Sequence, residues 1–426
     1  MISPIATPIA ITLILRRMSS TPLFNPFDPS YQADPYPIFH RMRSTEPVHW
    51  SEMFQAWFLT RYRDVESAAR DPRRSSARRT SLFCRSQFGQ AGLELATVER
   101  FIATADRKMD ELDAPEHGRI RKTANSAFRP ASLDALRPRV QAAVDDLLEQ
   151  APKDRFDLAA TLAHPLPFTV TSEILGIPVA DRPQLKGWAK AFALMFASPM
   201  EELEVNGRVA EEAVRGLHDY FTARMRERQG SPDDDLISHF GRAVRDGAIT
   251  GDECIAQLIL LLSAGLATVS DQVNNGVHDL LTHPDMLATL KERPDLTPTA
   301  VEEMLRHQTS LPFLNRIATE DFEIGGKRIQ KGQVVSLGFG AGNRDPEIFP
   351  DPDRFDVTRK GAGHLSFGYG PHFCIGANLA RIEIEALVRS LLKRMPEIRL
   401  DPDAAPVRSS ESLMFRGFKS LPVIVS

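Results

Sequence analysis

The 426-residue chain has only three cysteines, Cys84, Cys254 and Cys374, and they lie far apart. An odd and sparse set builds no disulfide framework and fits a reducing compartment. Positive charge is not in excess. The 52 Lys and Arg stand against 56 Asp and Glu, a net −4, which argues against nucleic acid as a partner. No repeat, low-complexity tract or Pro/Gly/Ser linker divides the chain, so residues 23–426 read as one domain. The apolar part of "MISPIATPIAITLILRR" falls short of the ~20 residues that span a bilayer, and Arg16 and Arg17 follow it, the reverse of a secretory leader. Residues 1–22 are therefore expected to be a poorly ordered extension, with no transmembrane segment and a cytoplasmic location.

Helical periodicity dominates what is present. Helices are expected near 117–128, 131–150, 157–175, 180–195, 201–229, 233–246, 251–282, 284–292, 297–307 and 377–395. A hairpin is expected between Pro47 and Tyr62, strands within 313–339, and a last strand pair ending "LPVIVS". From Ser75 to Lys108 the signal is weak and reads as loop. The pattern is mainly α with small β-sheets. One helix is odd: "LLLSAGLATVSDQ", 260–272, puts Gly265 inside a long apolar run, where a glycine costs roughly 0.5–1 kcal/mol relative to Ala.

"FGYGPHFCIGANLAR", Phe367 to Arg381, is a glycine-rich loop that opens into a helix. Gly368, Gly370 and Gly376 permit close approach to a flat ligand. Cys374 lies just ahead of the helix, where free N–H groups and the helix dipole favour a thiolate, a soft ligand for iron. The loop resembles the haem-binding loop of the cytochrome P450 family: Phe-Gly-x-Gly-x-His-x-Cys-x-Gly. The resemblance implies that Cys374 is the proximal ligand of haem b, with Phe367 beside the sulfur and Gly368 in the cofactor loop. It also implies a single-domain, triangular-prism fold with the haem between a long distal helix and the cysteine loop.

Further motifs follow in family order. Glu303 and Arg306 resemble the Glu-x-x-Arg pair, and Arg354 in "PDRF" resembles its third member, a structural network beneath the haem. Removing one partner of such a buried network would cost about 3–5 kcal/mol. His117 and Arg121, four apart on one helix face, with Arg316 and His364, resemble the groups that face the haem propionates.

"LLLSAGLATVSDQ" resembles the distal-helix pattern Ala-Gly-x-Asp/Glu-Thr. Ala264, Gly265 and Thr268 match it, and the resemblance implies a locally opened helix with room for dioxygen and water. Ala267 departs from it, since an acid usually precedes the Thr. Protons would then pass through Thr268 with water, aided by Asp271 one turn beyond Ala267, or the substrate would bring its own polar group. Ala-Gly-x-Ala-Thr also resembles the fungal haem-thiolate nitric-oxide reductases, so NADH-dependent nitric-oxide reduction stays open. A non-turnover haem or ligand-binding protein is a third reading.

Family position places Phe88, Leu266, Ala267, Leu311, Phe313, Leu314, Leu413, Met414 and Phe415 around the substrate. These residues suit a compact hydrophobic molecule such as a terpenoid or other secondary-metabolite intermediate. No G-x-G-x-x-G follows a strand, so no flavin or nicotinamide site is fused to the chain. The resemblance implies a dioxygen-using monooxygenase, monomeric, that takes electrons from a ferredoxin and ferredoxin reductase. Arg119, Lys122, Lys360 and His372 could form a basic docking patch.

Overall fold

The computed structural model describes residues 23–195, 200–230, 234–361, 363–410, 412 and 414–425. The expected N-terminal extension and Leu413 lie outside them. Thirteen helices of nine residues or more are found among the described residues. In chain order they are α1 (Tyr36–Thr45), α2 (Tyr62–Arg70), α3 (Arg79–Ala91), α4 (Glu116–Ala127), α5 (Pro130–Gln150), α6 (Pro165–Leu175), α7 (Arg182–Leu194), α8 (Leu203–Gly230), α9 (Leu236–Arg245), α10 (Gly251–Thr282), α11 (Pro284–Glu292), α12 (Thr297–His307) and α13 (Ala377–Arg394).

The 32-residue α10 is the axis of the molecule. Thr250 and Glu253 close a capping box at its start, each side chain satisfying a backbone N–H of the other. Its apolar residues face all round, as in a helix with neighbours on every side. It packs against α6, α7, α8 and α9, and against α11, α12 and α13. Among the described residues it alone is long and apolar enough to cross a bilayer, yet it is the core helix of this chain.

The largest sheet sits to one side. Its strands are β1 (Val48–Ser51), β2 (Ala56–Leu59), β3 (Arg74–Ser75), β4 (Leu314–Ala318) and β5 (Val334–Leu337), in the order β1-β2-β5-β4-β3. The expected hairpin is β1 and β2, paired from Val48↔Leu59 to Ser51↔Ala56. Arg316 on β4 opposes Val335, so the sheet fixes where its guanidinium enters the interior.

Two expectations fail. Ser75–Lys108 is not loop: α3 and a further helix, Glu99–Ala105, occupy it. Their apolar residues are too sparse to give a period, and tertiary contact, such as that of Glu99–Ala105 with α8, supplies the stability that propensity does not. The single helix expected over 157–175 is divided. Arg155–Asp157 is a strand paired with Pro422–Ile424, Ala159–Ala163 forms a wide turn, and α6 starts at Pro165. The strand's partner lies near the far end of the chain, beyond the reach of local periodicity.

Candidate active site

The cysteine loop is built by its own backbone. Gly368 N–H donates to Leu365 O and Cys374 N–H to Phe367 O, both at 2.8 Å. Gly368 and Gly370 have φ of +70° and +71°, which side-chain-bearing residues rarely adopt. A Cβ on Gly370 would also lie 2.7 Å from Ala69 O. The turn delivers Cys374 to the start of α13. Cys374 is exposed, whereas Cys84 and Cys254 are buried with thiols pushed up to about 12. Enclosure raises the Cys374 thiol, opposed by the Gly376 N–H and then by Arg121 and Arg381. Phe367 lies beneath the Arg381 guanidinium, 4.6 Å from its carbon, and 6.2 Å from the Phe373 ring.

Beside this loop the structure gathers basic groups. Arg121 donates through Nη2 to Phe373 O at 2.6 Å. The His117 and His372 rings lie 4.1 Å apart. His117 is buried and its Nε2 has no hydrogen-bond partner among the described residues. Arg316 is 5% exposed and donates through Nη1 to Asn315 O. Among the described residues no carboxylate lies within ion-pair distance of it. Burial, then Arg79, pushes Arg316 down to about 9. Burial, then Arg316 and His117, pushes His372 down to about 2. His117 is lowered too, by burial and then Arg121. A buried guanidinium without an ion-pair partner and an orphaned ring nitrogen beside it are both stabilised by an anion. The paired carboxylates of a haem fit this donor set, and Cys374 fits its metal.

Among the described residues no ring contact or ion pair links His364 to them, although its Nε2 is orphaned like that of His117. Its Nε2 is 3.3 Å from Glu302 Oε2, without hydrogen-bond alignment. Burial works to raise the Glu302 carboxyl, but His364 and Arg381 together pull it down to about 2. In the cationic cluster His372 stands where His364 was expected, although sequence reasoning assigns His372 to a surface patch. Of the four residues expected in that patch, Lys122 and Lys360 are exposed, His372 is half-buried against His117, and Arg119 is engaged with Glu253 and with Ala248 O. Sequence reasoning misses Arg79 as well, although it lies in the arginine-rich "RRSSARR".

The Glu303–Arg306 pair is buried and bidentate, at 2.7 and 2.8 Å. Arg306 also donates to Asn343 O, Pro352 O and Arg354 O, so all five of its N–H groups are used. The Arg354 side chain is exposed and only its carbonyl takes part. Arg359 is the third charged member, with Nε 3.1 Å from Glu303 Oε1. The chain bends through Phe355 and Val357 into the core, and this bend carries Arg359, not Arg354, inward.

On α10, nearly every residue from Cys254 to Leu262 and from Val269 to Leu280 is buried, but Ala264 and Ala267 are exposed. With Thr268 and Asp271 they recur at i, i+3, i+4 and i+7, one face of the helix. The helix is continuous through this stretch, so the expected local opening is absent. The Thr268 hydroxyl instead donates to Ala264 O at 2.9 Å. Gly265 lies off the stripe, where a Cβ would touch only Thr171 Oγ1 on α6 at 3.8 Å. The Asp271 carboxylate stands against Gly417.

The expected substrate residues divide. Phe88 is fully buried on α3, its ring seated against Gly207 of α8, and belongs to the core. Phe313 is also core, 5.4 Å from the Phe58 ring. Leu266 packs on the main core, and Leu311 and Leu314 on the sheet cluster, all partly accessible. Met414 and Phe415 are half-buried in the C-terminal segment.

Comparison with known proteins agrees with this geometry. The family model described as "Cytochrome P450" matches residues 87–416. The chain is 32% identical over 413 residues to the polyketide biosynthesis cytochrome P450 PksS of Bacillus subtilis, covering 95% of this chain and 99% of that protein. It is 36% identical over 402 residues to the cytochrome P450 monooxygenase PikC of Streptomyces venezuelae, covering 92% and 91%. The crystal structure of CalO2 superposes with a TM-score of 0.85 at 32% identity, covering 95% of this chain and 98% of that one. Similarity of this extent, in a chain whose glycine loop presents a cysteine beside a buried cationic cradle, shows that it belongs to the cytochrome P450 family, as a monooxygenase.

Proposed function

We propose that the protein oxidises a compact hydrophobic secondary-metabolite intermediate with dioxygen, using haem b and electrons from a separate ferredoxin and its reductase. The observation that carries this reading is the run Ala264, Ala267 and Thr268, the uncharged part of an accessible α10 face that ends at Asp271. Apolar walls and one hydroxyl suit a ligand held by shape and desolvation rather than by charge. The relative named for polyketide biosynthesis supports a secondary-metabolite scaffold.

When bound, the haem supplies activation of dioxygen. The chain's own groups do the rest. Cys374 would ligate the metal, and His117, Arg121, Arg316 and His372 would hold the carboxylates. Ala267 has no proton to give. The Thr268 hydroxyl commits its hydrogen to Ala264 O, which leaves its oxygen free to accept from a water. A water ordered on Thr268 would stand where a proton is needed and replace the acid that Ala267 lacks.

The test is a titration of the haem-loaded protein with neutral polyketide lactones, terpenoids and fatty acids, read as the low-spin to high-spin shift. Hits are then turned over with a ferredoxin, its reductase and NADPH. Neutral apolar compounds should shift the spectrum and give oxygenated product. If only long-chain acids shifted it, the substrate reading would fail.

A further inference from the structure

Beyond the accessible stripe, α10 carries a polar one. Asp271, Asn274, Asn275 and His278 recur at i, i+3, i+4 and i+7 and share a face. All four meet the C-terminal segment formed by the strands Val407–Arg408 and Phe418–Ser420 and by residues 414–417 between them. The Asp271 carboxylate stands so close to Gly417 that any side chain there would collide with it. Asn274 Nδ2 donates to Phe418 O at 3.4 Å. Asn275 Nδ2 donates to Arg416 O, and its Oδ1 accepts from Arg408 Nη1, both at 2.8 Å. The His278 ring lies 4.7 Å from Phe418, and the Arg408 guanidinium covers that ring too, at 3.7 Å. Arg416 is held further by its N–H on Ser310 O and by its guanidinium on Gln32 O and Ala33 O.

Asn274 and Asn275 are fully buried. Apolar residues would serve the core of such a helix at lower desolvation cost. Directional hydrogen bonds do what apolar contact cannot: they fix the register of one backbone against another. The backbone fixed here is the one that carries Met414 and Phe415.

We propose that this stripe is a strap setting the position of residues 414–417 over the substrate side of α10, which makes Asp271 and Asn275 positioning residues for substrate. The proposal rests on the reading of Met414 as facing substrate. It also explains Gly417, which lets the backbone come up against the Asp271 carboxylate.

The test uses haem-loaded Asn275→Ala, Asp271→Ala and Asp271→Asn with two readouts. The first is hydrogen–deuterium exchange of peptides covering 414–417, which is independent of ligand and of turnover. The second is titration with 4-phenylimidazole and with imidazole, followed by the Soret band, because the phenyl group of the bulky azole extends from the metal into the substrate space and imidazole does not. Asn275→Ala and Asp271→Ala should speed exchange of 414–417 about tenfold. They should also change 4-phenylimidazole affinity about threefold or more and leave imidazole nearly unchanged. Asp271→Asn, which keeps the shape that stands against Gly417, should stay close to wild type in both. Unchanged exchange in the two alanine variants would overturn the strap. Faster exchange with unchanged 4-phenylimidazole affinity would overturn the role toward substrate, and would locate the failure in the reading of Met414.

Discussion

Replacing Glu383 with Gln should make the protein more stable at high pH than at low, relative to wild type. Glu383 lies on α13, downstream of Cys374 and 2% exposed, with no hydrogen-bond partner for Oε2 among the described residues. Burial alone pushes its carboxyl from the ordinary 4.5 up to about 8. The folded protein therefore holds a proton that the unfolded chain has released at neutral pH. A group whose folded value is raised contributes fully below the unfolded value, here 4.5, and loses that contribution as pH climbs to the folded value, about 8. Each pH unit in this window is worth about 1.4 kcal/mol. Between pH 6 and 8 wild type should lose about 2–3 kcal/mol that the variant keeps, since the amide of Glu383→Gln never ionises. The amide itself brings a pH-independent cost of about 1–3 kcal/mol for buried donors without partners. The absolute stability of the variant is therefore uninformative, and the change in the difference with pH is the readout. Urea midpoints of wild type and Glu383→Gln, taken at several values from pH 6 to 8 and converted with a common slope, give that difference. A flat difference would refute the reasoning, because it would mean the folded protein holds Glu383 ionised.

Three further outcomes follow from the same geometry. Arg306→Lys offers at most three donors where five are used, and should destabilise by about 3–5 kcal/mol, seen as a large fall in the urea midpoint with α-helical content retained below it. Phe88→Ala should act as a core cavity mutation, costing about 3–5 kcal/mol, while leaving the spectral response to small azoles unchanged; a variant that kept full stability and altered azole binding would restore Phe88 to the pocket. His372→Ala and Arg316→Gln should speed transfer of haem to apomyoglobin about tenfold or more, whereas His364→Ala should transfer haem like wild type, reversing the order expected from the sequence.

Local and repetitive features are legible in the chain itself. The long helices announce themselves because burial on one face imposes a period that neighbouring residues carry together. The cysteine loop announces itself because its glycines, histidine and cysteine lie close together in the chain, and the turn they form needs only its own backbone. The Glu303–Arg306 pair is legible for the same reason, since residues three apart on a helix must meet.

Where the structure places residues differently from the expectation, a choice between near neighbours or a partner far along the chain is involved. His364 and His372 are both histidines ahead of Cys374, and only the path of the loop sends one to His117 and Arg316 and the other to Glu302. Arg354 and Arg359 are close in the chain, and the bend through Phe355 and Val357 decides which guanidinium reaches Glu303. Phe88 belongs to the core because Gly207, far along the chain on α8, leaves the notch that receives its ring. Composition and short-range spacing are enough for the class of protein and for the cysteine that suits a metal, because both are carried by residues that are neighbours in the chain. Which charges are left wanting an anion, and which stretch of α10 stays open, is settled only in the folded molecule, because burial is set by elements that meet nowhere else.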